Sequence, residues 1–277
     1  MKAATAVSLL QPGRNCWTVS PVAASGVLID GRDYFRAFYH AARAARRYVL
    51  VAGWQFDSDV ELVRGADLSE RREDVRLLPF LRTLCRNRPE LIVRILCWDY
   101  SPAYMLDREW MQDLVFNWTT PDNLSFRFDD RHAIGGSHHQ KFVVIDGQLA
   151  FVGSMDLCHG RWDYRAHPVD PSLRQQPRGE GTYGPYHEVQ AWLSGAAVGD
   201  LEELFVARWK TSGGEDLRLP PPAPAAPDVV GGLRLHGARE VALSRTSART
   251  LVPEQPSIRE IAGLYRDAIA SAERSIY

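Results

Sequence analysis

The chain has 277 residues, of which 45% are hydrophobic and 24% charged, and its formal net charge is −1. These values are typical of a globular protein with a substantial core, and the charge excludes a general electrostatic attraction to nucleic acid or anionic lipid. No run approaches the roughly 20 apolar residues of a membrane span, and the N-terminal residues lack the apolar core of a signal peptide, so we expect a cytoplasmic location.

Apolar periodicity predicts alternating helices and strands along the chain. Helices are predicted at 33–47, 74–86, 108–117 and 196–210, and strands at 48–54, 91–98, 124–128 and 188–193. A β-hairpin is predicted at 139–154, and a Pro-, Gly- and Arg-rich loop at 165–186. This alternation predicts an α/β fold, with a layered mixed β-sheet flanked by helices.

The composition changes at 219–227, where "LPPPAPAAP" predicts a semi-rigid linker. After it, "AIASAERSIY" (268–277) resembles "AARAARRYVL" (41–50), and both combine an Ala-rich helix end with the first residues of a strand. We therefore expect a first domain at 1–215, a linker at 216–230, and at 231–277 the incomplete start of a second, truncated copy of the domain.

The predicted hairpin carries the residues that point to chemistry. Lys141 is one of only three lysines among 33 basic residues, which suggests that this position needs a compact cation. If Asp146 and Gly147 form a two-residue turn, Lys141 faces Val152. Strand alternation then places His139 and Lys141 on one face, with Ser154 and Asp156 beside them. Asp146 lies at the far end of the strand and is expected to hold the turn.

These side chains suit covalent chemistry on a phosphate ester. A histidine acts as a nucleophile or acid near neutral pH, and a lysine approaches phosphoryl oxygens closely. Six of the eight histidines fall between 132 and 187, but their spacing matches no standard zinc motif and there is no dense carboxylate cluster. The sequence thus predicts neither a metal nor another cofactor, and the four widely spaced cysteines predict buried thiols.

His139-x-Lys141-x4-Asp146, followed by Gly153-Ser154-x-Asp156, resembles the signature of the phospholipase D superfamily. The likeness extends to "LIDGRDYFRAFYHAARAARRYVLVAGW", "CHGRWD" and "YGPYHEVQAWLSG". The family often has Asn where this chain has Asp156, which puts the hydrogen-bonding role of that position in doubt. The resemblance implies two similar α/β halves that share one active site.

By this resemblance, His139 is the nucleophile that forms a phosphohistidine, and a histidine from a second motif protonates the leaving alcohol. Glu188, in "YHEVQ", matches the carboxylate that orients the nucleophile in the family. The residues assigned from the motif are His139, Lys141, Asp146 and Glu188 as the catalytic group and Gly153, Ser154 and Asp156 as the substrate-binding group.

The function expected from the resemblance is hydrolysis or transphosphatidylation of glycerophospholipids at a membrane surface. The second motif would come from a missing half or from a homodimer partner, and no nucleic-acid partner is expected. Two alternatives remain open. One is a nuclease-like phosphodiesterase that works as a dimer of single-motif chains, and the other is a catalytically silent, truncated half.

Overall fold

The computed structural model describes residues 8–99, 109, 111–118, 120–133, 135–176, 181–251 and 254–276. Its centre is an eight-stranded sheet whose strands are, in spatial order, β5 (Leu124–Asp129), β4 (Ile92–Trp98), β3 (Tyr48–Gly53), β6 (Lys141–Ile145), β7 (Leu149–Gly153), β8 (Val189–Ser194), β2 (Ala24–Ile29) and β9 (Leu233–Leu235). β3, β4 and β5 run parallel, and the other pairings are antiparallel. The expected mixed α/β fold is confirmed.

Helices cover both faces of this sheet. The helices are α1 (Asp30–Ala44), α2 (Leu77–Asn87), α3 (Gln112–Trp118), α4 (Ala197–Thr211) and α5 (Glu260–Ser271), with a 3-10 helix at Gly65–Glu70. Short strands complete the structure: β1 (Thr18–Pro21), β10 (Glu240–Leu243), β11 (Thr246–Ser247), β12 (Thr250–Leu251), β13 (Glu254–Gln255) and β14 (Ile258–Arg259). The helix predicted at 108–117 overlaps α3, although residues 108 and 110 lie outside the described residues.

Two hydrophobic cores form because successive side chains of a strand point to opposite faces. Val49 and Val143 pack with α1 and α2 on one face. Leu50 and Val144 pack with α4 on the other. Burial on both faces explains why the central strands read as continuous apolar runs rather than as alternating patterns.

Helix α1 begins and ends three residues before its predicted bounds of 33–47. It ends because the chain turns extended at Ala45, and the next three backbone amides donate hydrogen bonds to the Asp146 carboxylate. An acceptor a hundred residues away in the sequence cannot be read from local periodicity.

The hairpin turn has three residues and not the two that were predicted. Ile145 pairs with Leu149, and the turn between them begins with Asp146 and Gly147, whose φ angles of 55° and 65° are left-handed. The predicted register is therefore wrong by one residue. Lys141 faces Gly153 instead of Val152, and the odd-numbered residues of both strands share one face.

The segment after residue 211 connects to the first part of the chain at several points. Residues 219–227 form neither helix nor strand, as their composition predicts. β9 pairs with β2 in the main sheet, and β10 pairs with β1. Helix α5 occupies the place that the repeat predicts for a helix, but residues 272–276 form no strand. The domain boundaries remain a prediction.

The predicted burial of all four cysteines is confirmed, because each is a buried free thiol. Across the described residues, none of the helices has the length and apolar character that crossing a bilayer requires. The predicted loop at 165–186 contains no helix where it is described, and residues 177–180 lie outside the described residues.

Candidate active site

His139 and Lys141 lie where the chain enters β6. His139 precedes the strand and is exposed, whereas Lys141 is the first strand residue and its side chain is only 5% exposed. The His139 ring lies 6.1 Å from the Trp54 ring, measured between centroids. Within the described part of the chain, the His139 ring has no hydrogen-bond partner. Its nitrogens are therefore available to a ligand.

The ammonium of Lys141 is held in place by two oxygens. Its Nζ donates to the carbonyl of His139 at 3.3 Å and lies 3.4 Å from Oδ2 of Asp156. Burial lowers the pKa of Lys141 and raises that of Asp156, and the attraction between the two charges opposes both shifts. These contacts hold the Lys141 ammonium in position next to His139.

The electrostatic surroundings of His139 favour its neutral form. Partial burial lowers the pKa of the imidazole below its ordinary value, and the positive charge of Lys141 lowers it further. A neutral imidazole has a nitrogen lone pair near neutral pH, which a nucleophile requires.

Asp156 connects the end of β3 to this site. Its Oδ1 accepts a hydrogen bond from the Trp54 amide at 2.7 Å, while Oδ2 faces Lys141. Gly53 has no side chain to intervene, and an added Cβ would lie within 2.7 Å of Oδ1. Asp156 is therefore a buried support for Lys141, although the motif assigned it to the substrate-binding group.

Ser154 and Glu188 form a second polar group at the same end of β7 and β8. The Ser154 hydroxyl donates to the Glu188 carboxylate, and the Tyr186 hydroxyl donates to its other oxygen at 3.3 Å. The Arg161 guanidinium lies 5.0 Å from the centre of the Tyr186 ring. Tyr186 and Arg161 were not predicted, and no spacing in the single sequence marks them.

The contacts of Gly153 and Asp146 maintain the fold. A Cβ on Gly153 would collide with the Gln190 side chain on the neighbouring strand. Asp146 lies at the opposite end of β6, roughly 16 Å along the strand from Lys141, where its carboxylate accepts three backbone amides. Of the motif residues, Asp146 is not brought to the site.

A cavity of about 700 Å³ opens beside His139 and Lys141. Residues of β6 and α4 form part of its wall, and residues from 243–250 and 255–261 form another part. Ser154, Asp156 and Glu188 do not line it. The cavity has a cationic and imidazole rim over apolar walls that include Leu201, Leu204 and Leu243, so it could accept an anionic group that carries an apolar tail.

A network that was not predicted holds the residues on either side of His139. Arg208, on α4, donates to Asp129 at 2.9 Å and to Gln140 at 3.1 Å, and His138 lies 3.3 Å from Asp129. Burial alone would raise the pKa of Asp129, but the hydrogen bond from His138 and the charge of Arg208 hold it below its ordinary value. The network fixes the chain immediately before and after the exposed histidine.

A sequence profile of one family, described as "Phospholipase D", matches residues 122–277. The protein "Phospholipase D C" of Dictyostelium discoideum is 27% identical over 210 residues, which are 65% of this chain and 12% of that protein. "Phospholipase D alpha 1" of Zea mays is 26% identical over 239 residues, which are 69% of this chain and 29% of that protein. The chain spans less than a third of the length of these relatives.

Two solved structures are similar in backbone. The phospholipase D family member Nuc from Salmonella typhimurium aligns with a TM-score of 0.43 and 10% identity, over 74% of this chain and 99% of that chain. NucT from Helicobacter pylori aligns with a TM-score of 0.43 and 12% identity, over 70% of this chain and 98% of that chain.

Proposed function

Because this chain belongs to the phospholipase D family, we propose that it is a phosphodiesterase that hydrolyses or transphosphatidylates glycerophospholipids through a phosphohistidine on His139. The observation that carries the proposal is the pairing of an exposed imidazole, whose neutral form is favoured, with the buried and braced ammonium of Lys141. The apolar walls of the adjacent cavity favour a lipid ester over a nucleic acid.

In the first step, a ring nitrogen of His139 forms a bond to phosphorus while the bond between phosphorus and the headgroup oxygen breaks. Lys141 stabilises the negative charge that gathers on the phosphoryl oxygens. The departing oxygen takes a proton from an acid. In the second step, water or an alcohol attacks phosphorus, the phosphorus–nitrogen bond breaks, and the acceptor's proton passes to the conjugate base of that acid.

Glu188 and Ser154 assist this reaction in the proposal. The role that the family resemblance implies for Glu188 is to orient the His139 ring. In the structure its carboxylate instead accepts hydrogen bonds from Ser154 and Tyr186, which limit its rotation.

One histidine cannot be nucleophile and acid in the same step, because the two groups act on opposite sides of phosphorus. Residues 157–277 contain no second His-x-Lys-x4-Asp pattern. The acid has to come from a second motif, either in a second half of the protein or in another chain, and a second copy of this chain that contributes its own His139 is the partner that we propose. Activity then rises with the square of the chain concentration while dimers are scarce.

The test is turnover of phosphatidylcholine vesicles over a series of chain concentrations, with acid-labile phosphate trapped on the protein as a second readout. We expect His139→Ala to abolish both vesicle turnover and the trapped phosphate, while its circular dichroism spectrum equals that of the unmodified chain. The control is His236→Ala, which changes an exposed histidine outside the site.

Turnover by the His139→Ala protein would contradict the assignment of the nucleophile. Cleavage of DNA with salt-dependent retention, and no turnover of vesicles, would favour the nuclease alternative. Absence of both activities at every concentration would favour the silent half.

A further inference from the structure

Asp30, His167 and His187 form a cluster next to the backbone of Glu188, and the proposed reaction does not use these three side chains. Asp30 begins α1, and the two histidines come from the long segment that precedes β8. His187 Nδ1 lies 2.6 Å from Asp30 Oδ1, and His167 Nε2 lies 3.4 Å from Asp30 Oδ2. One ligand atom from each of the three residues can be chosen so that all lie within 4.8 Å of one another.

Asp30 is unusual in two respects. Its side chain is fully buried, yet within the described residues Oδ2 has no hydrogen-bond partner. Its backbone has a φ of 66°, which is strained for a residue other than glycine. A buried carboxylate oxygen without a hydrogen bond is costly, so this oxygen needs a cation that compensates for lost hydration.

The arrangement around His167 indicates which cation. Its Nδ1 lies 2.8 Å from Oδ2 of Asp163, a fully buried carboxylate that also receives the Tyr186 amide and the Arg174 guanidinium. When neutral His167 donates its Nδ1 proton to Asp163, the lone pair of Nε2 faces Oδ2 of Asp30. In that state the two facing acceptors repel, and a positive ion between them would remove the repulsion.

A histidine that donates one ring N–H to a carboxylate and offers the other nitrogen to the ion is the usual outer arrangement of a metal site. His187 offers a second imidazole to the same carboxylate, because its Nδ1 faces Asp30. Its side chain is 66% exposed, so solvent reaches it.

We propose that Asp30, His167 and His187 bind a divalent transition-metal ion of the zinc type, with water as the fourth ligand. Two imidazoles and one carboxylate suit Zn²⁺, whereas Ca²⁺ prefers six to eight oxygen ligands. The sequence predicts no metal, because the three ligands come from separate segments and match no short motif. The site's existence does not depend on the proposed function.

The consequence is structural. The Glu188 amide donates to Asp30 at 3.2 Å, and the Asp30 amide donates to the Glu188 carbonyl at 2.8 Å. Gly31 packs so tightly against residues 161–162 that an added Cβ would collide with the Arg161 carbonyl. An ion here joins the β2–α1 junction to the segment before β8, and so fixes the strand entrance that carries Glu188.

The experiment uses the full chain without a histidine tag, stripped with a chelator and titrated with Zn²⁺ against a chromophoric competitor. We expect one equivalent to bind, a rise in Tm on binding, and the visible d–d bands of four-coordinate Co²⁺ when Co²⁺ replaces Zn²⁺. His167→Ala and His187→Ala should each weaken the affinity at least tenfold, and Asp163→Asn by about ten- to a hundredfold.

The matched control is His236→Ala, which removes an exposed histidine elsewhere and should bind like the unmodified protein. If the His167→Ala or Asp163→Asn protein fails to fold, His187→Gln decides the outcome, because His187 is largely exposed. Less than one equivalent at micromolar Zn²⁺, unchanged affinity in His187→Gln, or tighter binding of Ca²⁺ than of Zn²⁺ would each overturn the proposal.

Discussion

Lys141 is a buried cation with close polar contacts. Its ammonium lies between Oδ2 of Asp156 and the His139 carbonyl, and 6.0 Å from the centre of the Trp54 ring. Lys141→Arg keeps the charge, but the planar guanidinium is larger and presents its donors in a different geometry. We expect turnover to fall at least tenfold, about 1.4 kcal/mol of transition-state stabilisation.

The matched control for this prediction is Lys210→Arg, because Lys210 is 73% exposed and forms a surface pair with Asp216. Turnover and Tm of that variant should equal those of the unmodified chain. If Lys141→Arg and Lys210→Arg have similar, near-normal turnover rates, the reaction does not require the compact ammonium of a lysine at position 141.

Asp146 supports a second prediction at the scale of one residue. Its carboxylate accepts the amides of Arg46, Arg47 and Tyr48, and Asn can replace only one of its two oxygens as an acceptor. Asp146→Asn should lower the free energy of unfolding by about 1–3 kcal/mol, since at least one partly buried amide loses its acceptor. Denaturant unfolding measures this, with the exposed Asp130→Asn as control.

If Asp146 touched the reaction instead, the folded fraction of the Asp146→Asn protein would lose turnover without losing stability. The family motif groups this residue with the catalytic ones. The hairpin geometry places it at the other end of β6.

The candidate residues could be predicted only in part from the sequence. The proximity of His139, Lys141 and Asp156 follows from a strand and a motif that are adjacent along the chain. The reasoning about strand faces was wrong by one register, and Asp156 reaches Lys141 because the chain bends after Gly153. The contact between Arg208 and Asp129 joins residues far apart in the sequence, and no local pattern could have indicated it.

At the scale of elements, α1 is held by an acidic segment that runs along it. Arg32 pairs with Asp67, Arg36 with Glu70, and His40 adds a second contact to Glu70 at 2.9 Å. These basic side chains recur every four residues and so lie on one side of the helix. The 3-10 helix is thereby joined to α1 by ion pairs.

Glu70 gives this contact a pH dependence. The hydrogen bond from Arg36 lowers the pKa of Glu70 from 4.5 to about 2, with partial burial acting in the opposite direction. A lowered pKa means that the stabilisation is fully present above pH 4.5 and is lost as the pH falls toward 2. The difference in Tm between the unmodified chain and Glu70→Gln should therefore shrink over that range.

Calorimetry across the acid range measures this difference. Glu90→Gln, which changes an exposed residue after α2, serves as the control and should show no such trend. A constant difference in Tm between the unmodified chain and Glu70→Gln from neutral pH to pH 2 would contradict the role of the Arg36 pair.

The helices and strands could be predicted because the spacing of apolar residues and the turn-forming residues are local properties of the sequence. Strands β3 and β4 and helix α4 lie within one or two residues of their predicted bounds. Helix α1 differs by three residues because its end is set by Asp146, which arrives from the hairpin. Local propensity thus predicts which element forms, and tertiary hydrogen bonds determine where it stops.

At the scale of the whole molecule, α5 presents an apolar stripe to solvent. Ile261, Tyr265 and Ile269 follow one another at four-residue spacing, and they are 37%, 68% and 58% exposed. Exposed stripes of this kind mark interaction surfaces. We expect the chain to self-associate through this stripe, and Ile269→Glu to shift light scattering toward the monomer mass.

Ala270→Glu places the same charge on the neighbouring exposed position and should leave self-association unchanged. Vesicle turnover, followed in the same samples, should fall with the loss of dimers in Ile269→Glu. A monomer mass for the unmodified chain throughout the micromolar range would contradict this prediction.

The strand order has a consequence for how the chain acquires its structure during synthesis. β2 (Ala24–Ile29) lies between β8 and β9, so both of its neighbouring strands are more than 150 residues away from it in the sequence. The ribosome releases β2 first and its two partners after all the other strands of this sheet, and loops of that length close slowly. Until residue 194 emerges both edges of β2 lack their partners, and until residue 235 emerges one edge does, so the nascent chain exposes an unpaired strand edge to other chains for much of its synthesis.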